Sequence, residues 1–146
     1  MRIERILWPT DFSENAALAL PYVTSLAEKY GAEVHILYVL KDYPAFGGTL
    51  RRLRPGGPGK NAPVGEKDSR GAAWDEIGER FLKACPLFFR HIGVGDPAQE
   101  ILRTIHSESI DLVIMASRGH ESHFDFGSVA DRVLKCTTVP VVLIPV

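Results

Sequence analysis

Cysteine is scarce, charge of either sign is not in excess, and no long apolar run exists. The two cysteines, Cys85 and Cys136, give neither a disulfide framework nor a zinc-ligand spacing, and are expected to be small buried hydrophobes in a reducing compartment. Seventeen basic residues against eighteen acidic ones leave a net charge of −1. Proteins that live on phosphate backbones are far more basic, so nucleic acid is not an expected partner. No apolar stretch approaches the roughly 18 residues of a membrane span. The start, Met1-Arg2-Ile3-Glu4-Arg5, leads into a short strand-like run without the apolar core of a signal peptide. A cytoplasmic protein without a membrane role is expected.

What the chain does have is the make-up of one globular domain, 146 residues with 45% apolar and 24% charged side chains. Apolar runs alternate with amphipathic stretches. Ile3–Trp8, Val34–Leu40, Leu87–Ile92, Leu112–Ala116 and Val139–Val146 read as strands apolar on both faces. Helical patterns fall at Glu14–Tyr30, Arg70–Ala84, Pro97–Ser107 and Ser128–Cys136. Ala17, Leu18, Tyr22, Leu26 and Tyr30 mark the apolar face of the first helix, with Ser13 as N-cap, Gly31 as its stop and a bend at Pro21. The sum predicts an α/β fold: a five-stranded, parallel, doubly wound sheet with helices on both faces.

Residues 44–65 break the rhythm, with 10 of the chain's 23 glycines and prolines and with Arg51, Arg52, Arg54 and Lys60 among them. This is a long basic loop, either a solvated connector or a lid whose arginines reach an anionic ligand.

Several segments only look like motifs. Gly93-Val94-Gly95-Asp96-Pro97-Ala98 fits a dinucleotide fingerprint on paper, but Pro97 lacks an N–H and Asp96 puts negative charge where a phosphate would sit. Asp96, Pro97 and Gln99 read better as a helix that caps itself. His91-Ile92-Gly93 matches half of a nucleotidyl-transferase signature and lacks the second histidine. His120 and His123 are three apart with Glu121 and Asp125 nearby; without a third ligand pattern they read as solvent-exposed histidines. No nucleophile–base pair is visible among the candidate site residues, and no P-loop or nucleophile elbow is present.

Two loops carry ligand chemistry. In doubly wound sheets, ligands sit outside the carboxyl ends of the strands where strand order reverses. Pro9-Thr10-Asp11-Phe12-Ser13 follows the first strand there. Ala116-Ser117-Arg118-Gly119 follows the fourth and leads to Phe126-Gly127-Ser128 at a helix start. Gly119 and Gly127 allow close backbone approach, and Ser128 puts a hydroxyl beside free helix N–H groups, which suits an anion. Asp11 can accept hydrogen bonds from a sugar or base. Each glycine alone is explained by turn geometry, and Asp11 alone by capping; together they suggest an adenine-nucleotide site.

At these residues the chain resembles the universal stress protein family over almost its whole length. The resemblance is carried by residues 6–13, by Gly95-Asp96-Pro97-Ala98-Gln99-Glu100-Ile101-Leu102, by Asp111–Gly119 with Gly127–Leu134, and by Val139–Pro145. It implies strand order 3-2-1-4-5 and a homodimer paired through the last strand, 139–145. It also implies binding of ATP or another adenine nucleotide, with Mg²⁺ if ATP binds. By position, Asp11 would meet adenine or ribose, with Pro9 and Thr10 also in the binding site, and Val39 would pack on the base. Gly119, Gly127, Ser128 and Val129 would line the phosphates, with Arg118 beside them. The family's ATP-binding members carry G-x2-G-x9-G-[S/T]; here Ala116 stands at the first glycine, and seven residues separate Gly119 from Gly127. The implied function is a regulatory module rather than a fast enzyme. The alternatives are a slow ATPase with Asp125 as its metal-binding carboxylate, and an interaction protein whose shortened loop has closed the crevice. An apolar edge strand such as Val139–Pro145 also favours a two-fold partner on its own account.

Overall fold

Strands apolar on both faces need cover on both faces, and the chain supplies it with helices. A computed structural model describes residues 1–40, 79, 87–117 and 126–146, apart from the side chains of 126 and 127. The 44–65 loop, the expected helix at Arg70–Ala84 apart from residue 79, and Cys85 lie outside them. In chain order the elements are β1 (Arg5–Thr10), α1 (Glu14–Ala17), α2 (Leu20–Tyr30), β2 (Glu33–Leu40), β3 (Phe88–Val94), α3 (Pro97–Ser107), β4 (Leu112–Ala116), α4 (Phe126–Cys136) and β5 (Val141–Ile144). The five strands form one parallel sheet of order β3-β2-β1-β4-β5, as expected.

Even-numbered β1 and β2 residues, Ile6, Trp8, Val34 and Ile36, pack with Ala19, Leu20, Val23 and Ala27 of the first helical segment. Odd-numbered ones, Leu7 and Leu37, pack with Ala98, Ile101 and Ile105 of α3 and with Ala130 and Val133 of α4. Each large aliphatic side chain so buried contributes roughly 1.5–3 kcal/mol.

The first helix differs from its expected form. It breaks after Ala17 and restarts at Leu20, because Pro21 has no N–H to donate back to residue 17 and sits instead in the first turn of α2. The restart also changes the buried face. Leu20, Val23 and Ala27 point inward, whereas Leu18, Tyr22 and Tyr30 are exposed. The terminal signals hold: the Ser13 hydroxyl accepts from Ala16 N–H at 3.0 Å, and Gly31 closes α2 in the left-handed region at φ 62°. Cys136 is exposed, contrary to expectation; it ends α4, three residues beyond Val133, the last buried residue of that helix.

The two ends of the central strand are treated differently. At the amino end the Asp111 carboxylate accepts from the N–H groups of Glu4 and Arg5, at 2.8 and 3.0 Å, and Asp111 N–H donates to Arg5 C=O. This pins β4 to β1. At the carboxyl end, β1 runs beside β2 through Thr10, but pairs with β4 only at Ile6 and Leu7. β4 meanwhile continues to Ala116 alongside β5. Pro9 offers no N–H to either neighbour, so the ladder has less to hold there.

Buried polar groups gather toward the sheet's amino end on the α3 face. His35 Nδ1 and His91 Nε2 lie 2.9 Å apart, and His35 Nε2 is 3.5 Å from Glu33 Oε2. His35 also stacks on Phe89, ring centroids 4.9 Å apart. Burial pushes the His35 pKa below 6.5, against the opposing pull of Glu33 and Glu108; Arg5 adds to the lowering. The unfolded chain therefore takes up this proton first as pH falls. Stability supplied by the neutral ring is complete above about pH 6.5 and declines from there down through the folded-state pKa. Urea midpoints measured from pH 7.5 to 5 with a chelator present should fall, and His35→Gln should fall less over the same window; equal slopes would exclude His35 as the source.

Candidate functional site

The turn after β1 is built by its own side chains. Thr10 Oγ1 accepts from Phe12 N–H at 3.0 Å, and Asp11 Oδ1 accepts from Ser13 N–H at 2.9 Å. Short polar side chains bonding two residues ahead make such turns without outside help. Between them Phe12 adopts φ 61°, rare for a residue with a side chain, and its ring stacks on Tyr38 at 4.9 Å. The aromatic contact holds a backbone shape that a glycine would otherwise supply. The outcome is an exposed Asp11 at the carboxyl end of the sheet's central strand.

Pro9 and Thr10, expected in this loop, are instead the last residues of β1, and Thr10 is buried. Val39 lies near the carboxyl end of β2 and is partly buried against the α3 face. Val129, in the first turn of α4, packs on the same apolar cluster. Ala116 is the last residue of β4, paired with Ile144. It is not among the described residues with positive φ, so its methyl meets no backbone demand for glycine. Next to it, Ser117 is tied to the chain's end: its N–H donates to Ile144 C=O at 2.8 Å, and its hydroxyl accepts from Val146 N–H at 2.9 Å.

Helix α4 starts at Phe126, two residues earlier than expected. Gly127, Ser128 and Val129 therefore occupy its first turn, where the backbone N–H groups of Gly127 and Ser128 have no helical acceptor. Ser128 is exposed. Arg118, Gly119, His120, His123 and Asp125 lie outside the described residues. Thus Asp11, Val39, Ala116, Ser128 and Val129 belong to segments that end or begin at the carboxyl edge of β1, β2 and β4. Beyond Leu7 that edge is where β1 and β4 cease to pair.

The false fingerprint at 93–98 is explained by packing. Asp96 caps α3, its Oδ2 accepting from Gln99 N–H at 3.0 Å, and its Oδ1 is 3.0 Å from Arg132 Nη1 of α4. The negative charge at this helix start belongs to the protein. Gly95 takes φ 124°, and a Cβ on Gly93 would stand 2.8 Å from Glu100 Oε2. Both glycines serve the strand-to-helix turn rather than a phosphate.

Two features escaped the sequence. One is the parting of β1 from β4, which only the pairing register shows. The other is the cluster of His35, His91 and Glu108, whose members look unrelated along the chain.

A family model described as the universal stress protein family matches residues 2–145. Universal stress protein MJ0577 of Methanocaldococcus jannaschii is 28% identical over 152 residues, covering 97% of this chain and 94% of that protein. The solved structure of MJ0577 superposes with a TM-score of 0.76 at 24% identity, covering 100% of this chain and 98% of the other. A universal stress protein solved in complex with cAMP gives 0.70 at 15% identity, covering 99% and 98%. A family member from Arabidopsis thaliana with AMP bound gives 0.64 at 12%, covering 97% and 91%. At these identities the structural likeness speaks for the fold.

The β1 turn itself can be tested. Replacing Ser13 with Ala removes the α1 cap and should cost about 1 kcal/mol in urea unfolding, and a loss below about 0.3 kcal/mol would show that the cap contributes little.

Proposed function

The chain belongs to the universal stress protein family, and from that premise we propose that it is a regulatory module that binds an adenine nucleotide between the carboxyl ends of β1 and β4. One observation carries this reading: the sheet order reverses at β1, and pairing between β1 and β4 stops at Leu7 while both strands continue. That is the switch point at which open α/β sheets take ligands. Relatives with cAMP and AMP bound share the fold, which supports an adenine ligand here.

Each residue then has a role set by its position. Asp11 presents a carboxylate that accepts hydrogen bonds from ribose or the adenine amino group. Val39 supplies an apolar wall for the base. The first-turn N–H groups of Gly127 and Ser128, at the positive end of the α4 dipole, receive phosphate oxygens, with Val129 lining the same side. Arg118 and Gly119 complete the phosphate side. Mg²⁺ accompanies ATP as a ligand of its phosphates. The module senses the nucleotide rather than turning it over.

A second reading, a ligand-free interaction protein, draws on the Ser117 hydroxyl, which is already committed to the chain's own end. Thermal-shift titration with AMP, cAMP and ATP, with and without Mg²⁺, separates the two. Ligand at a hundred times its dissociation constant should add about 2.7 kcal/mol of stability. Ser128→Asp, which suits a helix start but repels phosphate, should abolish the shift. No shift with any adenine nucleotide favours the second reading, an unchanged shift in Ser128→Asp places the site elsewhere, and steady phosphate release from ATP indicates a slow ATPase.

The same proposal includes a homodimer through the last strand. β5 ends the sheet, and Val141, Val142 and Leu143 are only partly buried. An apolar edge of this kind is relieved by pairing with a second copy. Sedimentation at micromolar concentration should report a dimer, and Val142→Lys should shift it to monomer; a wild-type monomer contradicts the pairing.

A further inference from the structure

The cluster on the α3 face stands apart from the proposed nucleotide site. His35 is the third residue of β2 and Val39 the seventh, so the two are about 13 Å apart along the strand at ~3.3 Å per residue. His91 comes from β3 and Glu108 from the C-cap of α3. One ligand-capable atom from each of His35, His91 and Glu108 lies within 4.8 Å of the others. Both imidazoles are nearly fully buried, 4% and 6% exposed, while Glu108 is half-buried.

We propose that His35, His91 and Glu108 form a site for a borderline divalent cation of the zinc type, held by two imidazole nitrogens and one carboxylate oxygen.

The geometry suits the ion. Zinc bonds of about 2.0–2.1 Å to nitrogen place tetrahedral ligand atoms roughly 3.3 Å apart. His35 Nδ1 and His91 Nε2 already face one another at 2.9 Å, so a metal would replace the hydrogen bond between them once the nitrogens part by about 0.4 Å and the rings turn their lone pairs toward one point beside the N···N line. The Glu108 side chain closes the remaining distance, and the fourth position is left for a water or another ligand. Glu33 plays the outer role. Its Oε2 lies 3.5 Å from His35 Nε2 and 3.4 Å from Arg5 Nε, so it accepts from the ring N–H and leaves Nδ1 as the donor to metal. Arg5 keeps that carboxylate outside the first ring of ligands. The carbonyl end of α3, which Glu108 caps, adds negative potential at the cation. Two nitrogens and a carboxylate favour zinc, cobalt, nickel or copper over magnesium or calcium. Bound ion would tie β2, β3 and the end of α3 together.

The experiment uses the tag-free full chain, stripped with chelator and titrated with Zn²⁺ by calorimetry, while NMR follows the imidazole signals of all five histidines. One equivalent should bind, shifting the His35 and His91 rings and leaving His106 unmoved, and Tm should rise with Zn²⁺. His91→Gln should weaken binding by more than about 100-fold, and Glu33→Gln by about 10- to 100-fold. Glu108→Gln, at a half-buried position, should weaken it by at least about 10-fold and decides the matter if His91→Gln does not fold. A variant lacking His106, His120 and His123 should bind as the wild type does. Absence of stoichiometric binding, wild-type affinity in Glu108→Gln, or loss of binding in the triple variant would overturn the assignment.

Discussion

A parallel strand buried on both faces must be held by neighbours on both edges, and β1 meets that demand unevenly. Ile6, Leu7 and Trp8 are inaccessible to solvent, so the strand cannot leave the sheet. At its amino end the Asp111 carboxylate joins it to β4 through two backbone N–H groups. At its carboxyl end Pro9 withholds an N–H, and the pairing with β4 has already ceased. The sheet is therefore closed at one end and parted at the other. The chain reverses its direction of growth across the same strand, which puts two different loops on either side of the gap.

In the proposed reading, those loops have to offset the near-neutral charge of the molecule. With a net charge of −1, no broad positive field draws an anion in. Recognition in that reading therefore rests on local donors, the first-turn N–H groups of α4 together with Arg118. Helix α3 does not compete, because Asp96 fills its own start and is paired with Arg132 of α4. Among the described residues three helices begin at the carboxyl edge of the sheet: α1 after β1, α3 after β3 and α4 after β4. Ser13 caps α1 and Asp96 caps α3, whereas α4 carries exposed Ser128 in its first turn. The polar cluster at the amino end belongs to a different chemistry, with imidazoles and carboxylates in place of backbone N–H groups.

Much of this architecture was legible in the residues, for reasons that also mark its limits. Strands buried on both faces appear as unbroken apolar runs, so all five were found, and capping signals such as Ser13, Gly31 and Asp96 act within a few residues of themselves. The phase of the first helix was misread because Pro21 resets it, and Leu18 and Tyr22 came out exposed rather than Leu20 and Val23. The carboxyl limit of β1 was set two residues short, since proline usually marks a loop and here remains alongside β2. Of the expected site residues, Asp11 follows β1 in a turn, whereas α4 begins two residues before Ser128. Ala116 proved to be plain strand. The His35–His91 pair was invisible, because it depends on the register between strands 56 residues apart and not on any local pattern.

The parting of β1 from β4 as a ligand site is tested most directly by amide NMR titration with AMP. The account predicts shifts concentrated at Asp11, Phe12 and Ser13, at Ser117, and at Gly127, Ser128 and Val129, with the amino end of the sheet around Glu4 and Asp111 unchanged. Saturable shifts that cluster elsewhere, or none at millimolar AMP, would contradict it.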